Sequence, residues 1–304
     1  MKILHIGLCV DGKNEGLPYA LKKASTKYHE MKPQPHAVLN HVREFANKEK
    51  WDLAFFQIQA ENVIEPEVFR ILKEAGTFTL NWSGDIRRNT ERWYFETGAD
   101  LTCFSNMRDI QALRSAGIQA DFLQIGIDPK VFNLHGIEKH HYKHDIVFMG
   151  NNYGGQFPLG RERNELVNRI RRMGGAVYGG YQGAIGNLNG NQLEESICYN
   201  NSKIAINHSH FNVEAYTSDR LFRILGSGCF CLSHHYQGIE QDFQVGNHLA
   251  TYTDLNDMQR KIDYYLKHND EREEIAMSGY ELCHKKHRYK QMVQNIIKLY
   301  EHYK

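Results

Sequence analysis

Three groups of residues carry types and spacings that could do chemistry. The first lies in residues 216–240, YTSDRLFRILGSGCFCLSHHYQGIE. Ser218, Asp219 and Arg220 open a short amphipathic helix whose Leu221, Phe222, Ile224 and Leu225 are apolar, and Gly226 and Gly228 stop it. Free backbone N–H groups and the helix dipole favour an anion at such a start, and an arginine fork matches phosphate oxygens. A phosphate-bearing ligand is therefore expected there. The second group is the loop Gly150-Asn151-Asn152-Tyr153-Gly154-Gly155, which follows the strand-like DIVFM. Its glycines allow close backbone approach to a ligand. Tyr178 and Gly179 end another short strand, where a nucleobase would lodge, and Asn207 and Glu240 are further hydrogen-bonding candidates. Lys203 and Arg161 are additional cations. The third group is WSGDIRR, residues 82–88, after the strand-like TFTLNW. Asp85 suits a general base for a hydroxyl, with Arg87 and Arg88 beside it to orient it or to bind an acceptor. Asp11, in the loop after the first strand, is a second base candidate. Each residue also has a plainer reading, as a helix cap for Asp85 and as solvated surface charge for the cations.

Metal chemistry finds less support at this level. His208 and His210, His234 and His235, and His140 and His141 are paired, but none sits in an HExxH or Cys/His pattern, and no DxD occurs. No metal ligand, no cofactor and metal-independent chemistry are the expectation. GxGxxG is absent after the first strand, which argues against a dinucleotide oxidoreductase.

These residues must be held by something, and the chain has the means. Its 304 residues suffice for two domains, and 41% hydrophobic with 24% charged residues is ordinary for a globular protein. A net charge of +1 gives no strong overall field. The six cysteines, at 9, 103, 198, 229, 231 and 283, form no CxxC pair and read as reduced core thiols. No apolar run is long enough to span a bilayer, and the first ten residues read as a strand rather than a leader, so a cytoplasmic protein is expected.

The hydrophobic pattern predicts strands at 3–8, 52–57, 77–81, 101–105 and 120–124, with helices at 36–50, 66–75 and 106–116 between them. After a polar, glycine-bearing stretch the alternation resumes. Strands fall at 145–149, 176–178, 203–207, 229–232 and 249–252, and helices at 160–173, 191–199, 255–267, 271–286 and 290–303. Strand–helix alternation implies parallel, doubly wound sheets with ligands outside the strands' carboxyl ends. The expected division is a first domain over 1–125, a linker over 126–143 and a second domain over 144–287, with 288–304 packing back on the first.

Residues 216–288 resemble the C-terminal domain of CgeB/YkvP-like glycosyltransferases, relatives of the GT-B fold group. The resemblance rests on SDRLFRILGSGCFCLSHHYQGIEQDF, on HLATYTD, and most specifically on a helix ending YYL followed by ERxxIAxxGxxxxxxxH. DIVFMGNNY fits the start of that domain. The resemblance implies two Rossmann-like domains facing a cleft, a terminal helix crossing back, and transfer of a sugar from a nucleotide-sugar donor, most simply a UDP-sugar. The nucleotide would bind the second domain and the acceptor the first. DNA, a polysaccharide, a protein or a small molecule would each serve as acceptor. Arg223 departs from this pattern, standing where relatives carry a ribose-binding glutamate. That departure keeps open a non-catalytic nucleotide-sugar-binding protein.

Overall fold

The computed structural model describes residues 1–7, 15–34, 36–46 and 48–304. The chain divides into two compact units, Met1–Asp128 with Tyr289–Lys304, and Pro129–Arg288.

In the first unit the order is β1 (Lys2–Gly7), α1 (Leu17–Ala24), β2 (Lys27–Met31), α2 (Ala37–Phe45), β3 (Leu53–Gln57), α3 (Glu67–Glu74), β4 (Phe78–Ser83), α4 (Trp93–Glu96), β5 (Leu101–Phe104), α5 (Met107–Ser115) and β6 (Ala120–Phe122). All six strands are parallel, in the order β2-β1-β3-β4-β5-β6. The strands read as nearly continuous apolar runs because both faces of the sheet are covered. One face packs Phe56, Val68, Phe69, Leu72 and Trp93, and the other packs Phe55, Leu80 and Trp82. The second of these cores is completed by α11 (Tyr289–Tyr303), whose Met292, Val293 and Ile296 are buried in it. Tyr303 also donates its hydroxyl to Asp121 at 2.8 Å.

Two elements here have little trace in the hydrophobic pattern. β2 is an edge strand, KYHEM, with no fully buried residue, so it lacks the alternation that marks a half-buried strand. α1 is only eight residues long, although Pro18 in its first turn is a start signal.

The second unit runs β7 (His144–Met149), α6 (Gly160–Arg172), β8 (Ala176–Tyr178), α7 (Gln192–Asn200), β9 (Ser202–Asn207), α8 (Asp219–Gly226), β10 (Phe230–His234), β11 (Ala250–Tyr252), α9 (Leu255–Tyr265) and α10 (Asn269–Lys286). Its five strands are parallel, in the order β11-β10-β9-β7-β8. Read outward from its first strand, this is the doubly wound order of the first unit. The order reverses between β7 and β9, so the carboxyl ends of those two strands form the crevice where such sheets bind ligands.

Among the described residues no helix is long and apolar enough to cross a membrane. The five described cysteines are all free and buried.

Candidate functional site

The crevice at β7 and β9 is built around two arginines. Arg220 lies in the first turn of α8, half-buried, and its Nη1 donates to Asn207 Oδ1 at 3.3 Å and to the His208 carbonyl at 3.1 Å. Asn207 is itself buried at the end of β9. Its Oδ1 also accepts from Ser218 Oγ at 2.9 Å, and its amide nitrogen donates to Ser233 at 3.0 Å. Asn207 thus positions Arg220 and Ser218 through its Oδ1. Ser218 occupies the N-cap position but spends its hydroxyl on Asn207, so it caps none of the first N–H groups of α8.

The second arginine is Arg163, only 2% exposed. It stands on the apolar face of α6 with Leu166, Val167 and Ile170. Its Nε donates to the Tyr181 hydroxyl at 2.9 Å. Both guanidiniums lie against the Phe148 ring, 5.1 Å for Arg163 and 5.5 Å for Arg220 from its centroid. Burial, and then the nearby charge of Arg220, push the Arg163 guanidinium down to about 10. Among the described residues neither arginine has a carboxylate within ion-pair distance. Two like charges this close, one of them buried, are costly unless an anion joins them.

The glycines serve this arrangement. A Cβ on Gly150 would overlap Arg163 Nη2 and stand 3.3 Å from Arg220 Nη2. Gly179 has φ +116° and packs so closely on the Gly150 carbonyl that a Cβ would overlap it. These two glycines make room for a guanidinium and for each other's backbone.

Two histidines border the arginines. His208 is fully buried, with Nδ1 hydrogen-bonded to the Tyr252 hydroxyl at 2.7 Å and Nε2 without a partner. His210 Nε2 lies 3.2 Å from the Asn151 carbonyl, which fixes the proton on that nitrogen and leaves Nδ1 unpartnered. Burial first, then Arg163, push His210 down to about 4, so it is neutral at pH 7.

The other residues expected to contact the donor are held in bonds of their own or are exposed. Tyr178 is buried and bonds His144 at 2.9 Å, so its ring belongs to the core and is not free to meet a base. Asn152 is exposed and caps its own loop by accepting from the Gly154 N–H at 2.8 Å. Asn151 presents its carbonyl to His210 and to Tyr181, and its side chain bonds Asn189 and Tyr153. Asp219 pairs with Arg223 at 2.6 Å. Glu240 is exposed on a short 3-10 turn, Ile239–Gln241. Lys203 pairs with Asp145 at 2.7 Å at the amino end of β9, the wrong end for a ligand. Arg161 is exposed, while Arg163, two residues later, is the cation that faces inward. Its signal was available: an arginine at i in an i, i+3, i+4, i+7 row of apolar residues.

Arg223 is turned into a network of its own. It pairs with Glu195 at 3.1 Å as well as Asp219 and lies over the Phe132 ring at 5.6 Å. Burial holds the Glu195 carboxyl above its usual range, with Arg223 opposing.

In the first unit Asp85 follows the carboxyl end of β4 and is exposed, 3.9 Å from Arg87. The carbonyls of Arg87 and Arg88 accept from Arg108 at 2.8 and 3.2 Å, which pins the segment that carries Asp85. Asp11 lies outside the described residues.

Residues 161–298 match the family model described as glycosyl transferase-like. No curated protein sequence matches the chain. Solved structures match nearly the whole of it. The Anabaena protein HepE in complex with UDP and glucose is 11% identical, with 98% of this chain and 99% of that chain covered and a TM-score of 0.68. A glycosyltransferase from Rickettsia africae is 11% identical over 99% and 98% of the two chains, with a TM-score of 0.67. The sucrose-phosphate synthase of Thermosynechococcus elongatus is 10% identical over 99% of both, with a TM-score of 0.66. At such identities the likeness concerns fold: the chain has two Rossmann-like units of the GT-B glycosyltransferase fold, and residues 161–298 are similar to a glycosyl transferase-like family.

Proposed function

We propose that the protein is a glycosyltransferase, of the CgeB/YkvP-like kind and cytoplasmic, that takes a sugar from a UDP-sugar and moves it to an acceptor hydroxyl. The observation that carries this reading is the pair Arg163 and Arg220, without a carboxylate partner, at the strand-order reversal of the second unit. A nucleoside diphosphate is the ligand whose charge suits two converging guanidiniums beside an uncapped helix start. UDP and UDP-glucose are bound by HepE, which shares the fold. In the reaction the bond between the sugar C1 and the diphosphate oxygen breaks as the acceptor oxygen bonds C1. The acceptor proton passes to Asp85, and the diphosphate leaves with its charge against the two arginines. Asp85 as base corresponds to the inverting form of the reaction.

The basic residues of the first unit bear on the acceptor. Lys13 lies outside the described residues; Lys22, Lys23 and Lys27 lie at the amino end of β2, whereas Lys32, Arg87, Arg88 and Arg92 follow the carboxyl ends of β2 and β4. They split between opposite ends of one sheet, which favours a saccharide or small-molecule hydroxyl over duplex DNA, whose backbone calls for one continuous basic surface.

The test is a titration with UDP, UDP-sugars and other nucleotide sugars, followed by mass spectrometry for sugar transfer. UDP is expected to bind saturably. Arg220→Ala and Arg163→Met are each expected to weaken binding by about 10- to 150-fold, the range for a hydrogen bond to a charged group. Unchanged UDP affinity in both variants would remove the donor assignment. Saturable binding without transfer to any acceptor would mark a nucleotide-sugar-binding protein.

A further inference from the structure

The parallel pairing of β9 and β10 brings together residues that lie far apart in sequence. Asn207 is in register with Ser233, so the next residues stand side by side: His208, just past the end of β9, and His234, the last residue of β10. Their rings are 4.7 Å apart and nearly parallel. Glu162, in the first turn of α6, completes a group: one ligand atom from each of Glu162, His208 and His234 lies within 4.8 Å of the others.

We propose that Glu162, His208 and His234 form a transition-metal site, with zinc the ion that best suits two imidazoles and a carboxylate. The strongest support is His208. It is fully buried, its Nδ1 is engaged by the Tyr252 hydroxyl, and its Nε2 has no partner. Metal-binding histidines have this arrangement, in which a second group holds one ring nitrogen so that the other faces the ion. The His234 ring stacks on the Tyr252 ring as well, with centroids 5.4 Å apart.

The site needs a modest closure. Ligand atoms stand about 2.0–2.2 Å from zinc, so the partly exposed Glu162 and His234 move toward the fixed His208, and His234 turns out of the ring stack. Three protein ligands leave a fourth position for water or another oxygen ligand. Arg163 and Arg220 lie close enough to His208 to oppose a further positive charge, and Glu162 is the one anion of the set. Affinity in the micromolar range is expected.

The test is a titration of the purified full chain with Zn2+ by calorimetry and with Co2+ by visible absorption. One equivalent should bind, and Co2+ should give the d–d bands of a four-coordinate N/O site. Glu162→Gln and His234→Ala change partly exposed residues and keep the core. Each should lose the bands, with an unchanged melting temperature of the metal-free protein. Tyr252→Phe, which removes only the hydroxyl behind His208, should weaken binding by about 10- to 100-fold. The proposal is overturned by an absence of saturable binding, or by binding that survives both Glu162→Gln and His234→Ala. UDP is titrated separately, so the metal site and the donor assignment stand or fall independently.

Discussion

At the carboxyl ends of β7 and β9, Arg163 is buried and Arg220 half-buried, on a ring face and with no carboxylate opposite. At the carboxyl end of β4, Asp85 keeps 57% and Arg87 42% of its side chain exposed. The two sheets share one strand order, so topology does not account for the difference. In the second unit the fold already bears the desolvation of its charges, which suits an anion that binds tightly before reaction. In the first unit the charged groups stay hydrated until a ligand covers them, which suits a group that must exchange a proton.

The largest effect should come from the first unit. Asp85→Asn is expected to slow transfer by about 100- to 10,000-fold, the usual contribution of a positioned base. UDP affinity should not move, because Asp85 belongs to the hydrated site. Steady-state rates with an identified acceptor, beside UDP calorimetry, give the two readings. Unimpaired transfer removes Asp85 as base, and a parallel loss of UDP affinity erases the contrast between the two regions.

Glycines sharpen the same contrast on stability. A Cβ at Gly179 would overlap the Gly150 carbonyl, in a backbone region that side chains rarely adopt. Gly179→Ala should cost about 2–5 kcal/mol of stability, combining overpacking with backbone strain. It should also weaken UDP, since Gly150 would be displaced from Arg163. Gly117 in the first unit has φ +76° but open space around it. Gly117→Ala should therefore cost only about 1 kcal/mol, with UDP affinity unchanged. Denaturant midpoints and UDP titrations of both variants decide this, and equal costs would count against the tight packing at Gly179.

How much of this was legible in the sequence follows from the physics of each signal. Strands with both faces covered are continuous apolar runs, and helices opened by Asn106, Pro66 or Asp254 announce their starts, so the alternation was readable. Edge strand β2 was not, because half-exposed KYHEM has no apolar period. Arg220 was readable from its place at a helix start. Arg163 carries no such mark, because an arginine on a basic helix is usually solvated; only its place in an apolar row sets it apart. Tyr178 and Asn207 were read as ligand contacts from their place after strands, yet their hydrogen bonds are internal, to His144 and to Ser218, Arg220 and Ser233. Strand position identifies which end a residue occupies, but not which way its side chain is committed. Glu162, His208 and His234 have no common spacing at all, and only the β9–β10 register joins the two histidines.

The smallest effect concerns Arg223 and its partner Glu195, a part of the second unit where charge is compensated rather than left open. Burial holds the Glu195 carboxyl above its ordinary range, and Arg223 opposes that shift. The folded chain therefore binds a proton at Glu195 more readily than the unfolded chain. Stability from this group rises as pH falls through the raised folded value and is complete below the ordinary carboxylate value. At neutral pH the burial cost is fully present. In Glu195→Gln the group no longer titrates and the contact to Arg223 is retained. Wild type should consequently gain in melting temperature relative to this variant between pH 7 and pH 4.5. If the Arg223 pair outweighed burial, the folded value would lie below the ordinary one and the same comparison would show wild type losing ground. The sign of that difference decides whether Arg223 offsets the burial of Glu195 fully or only in part.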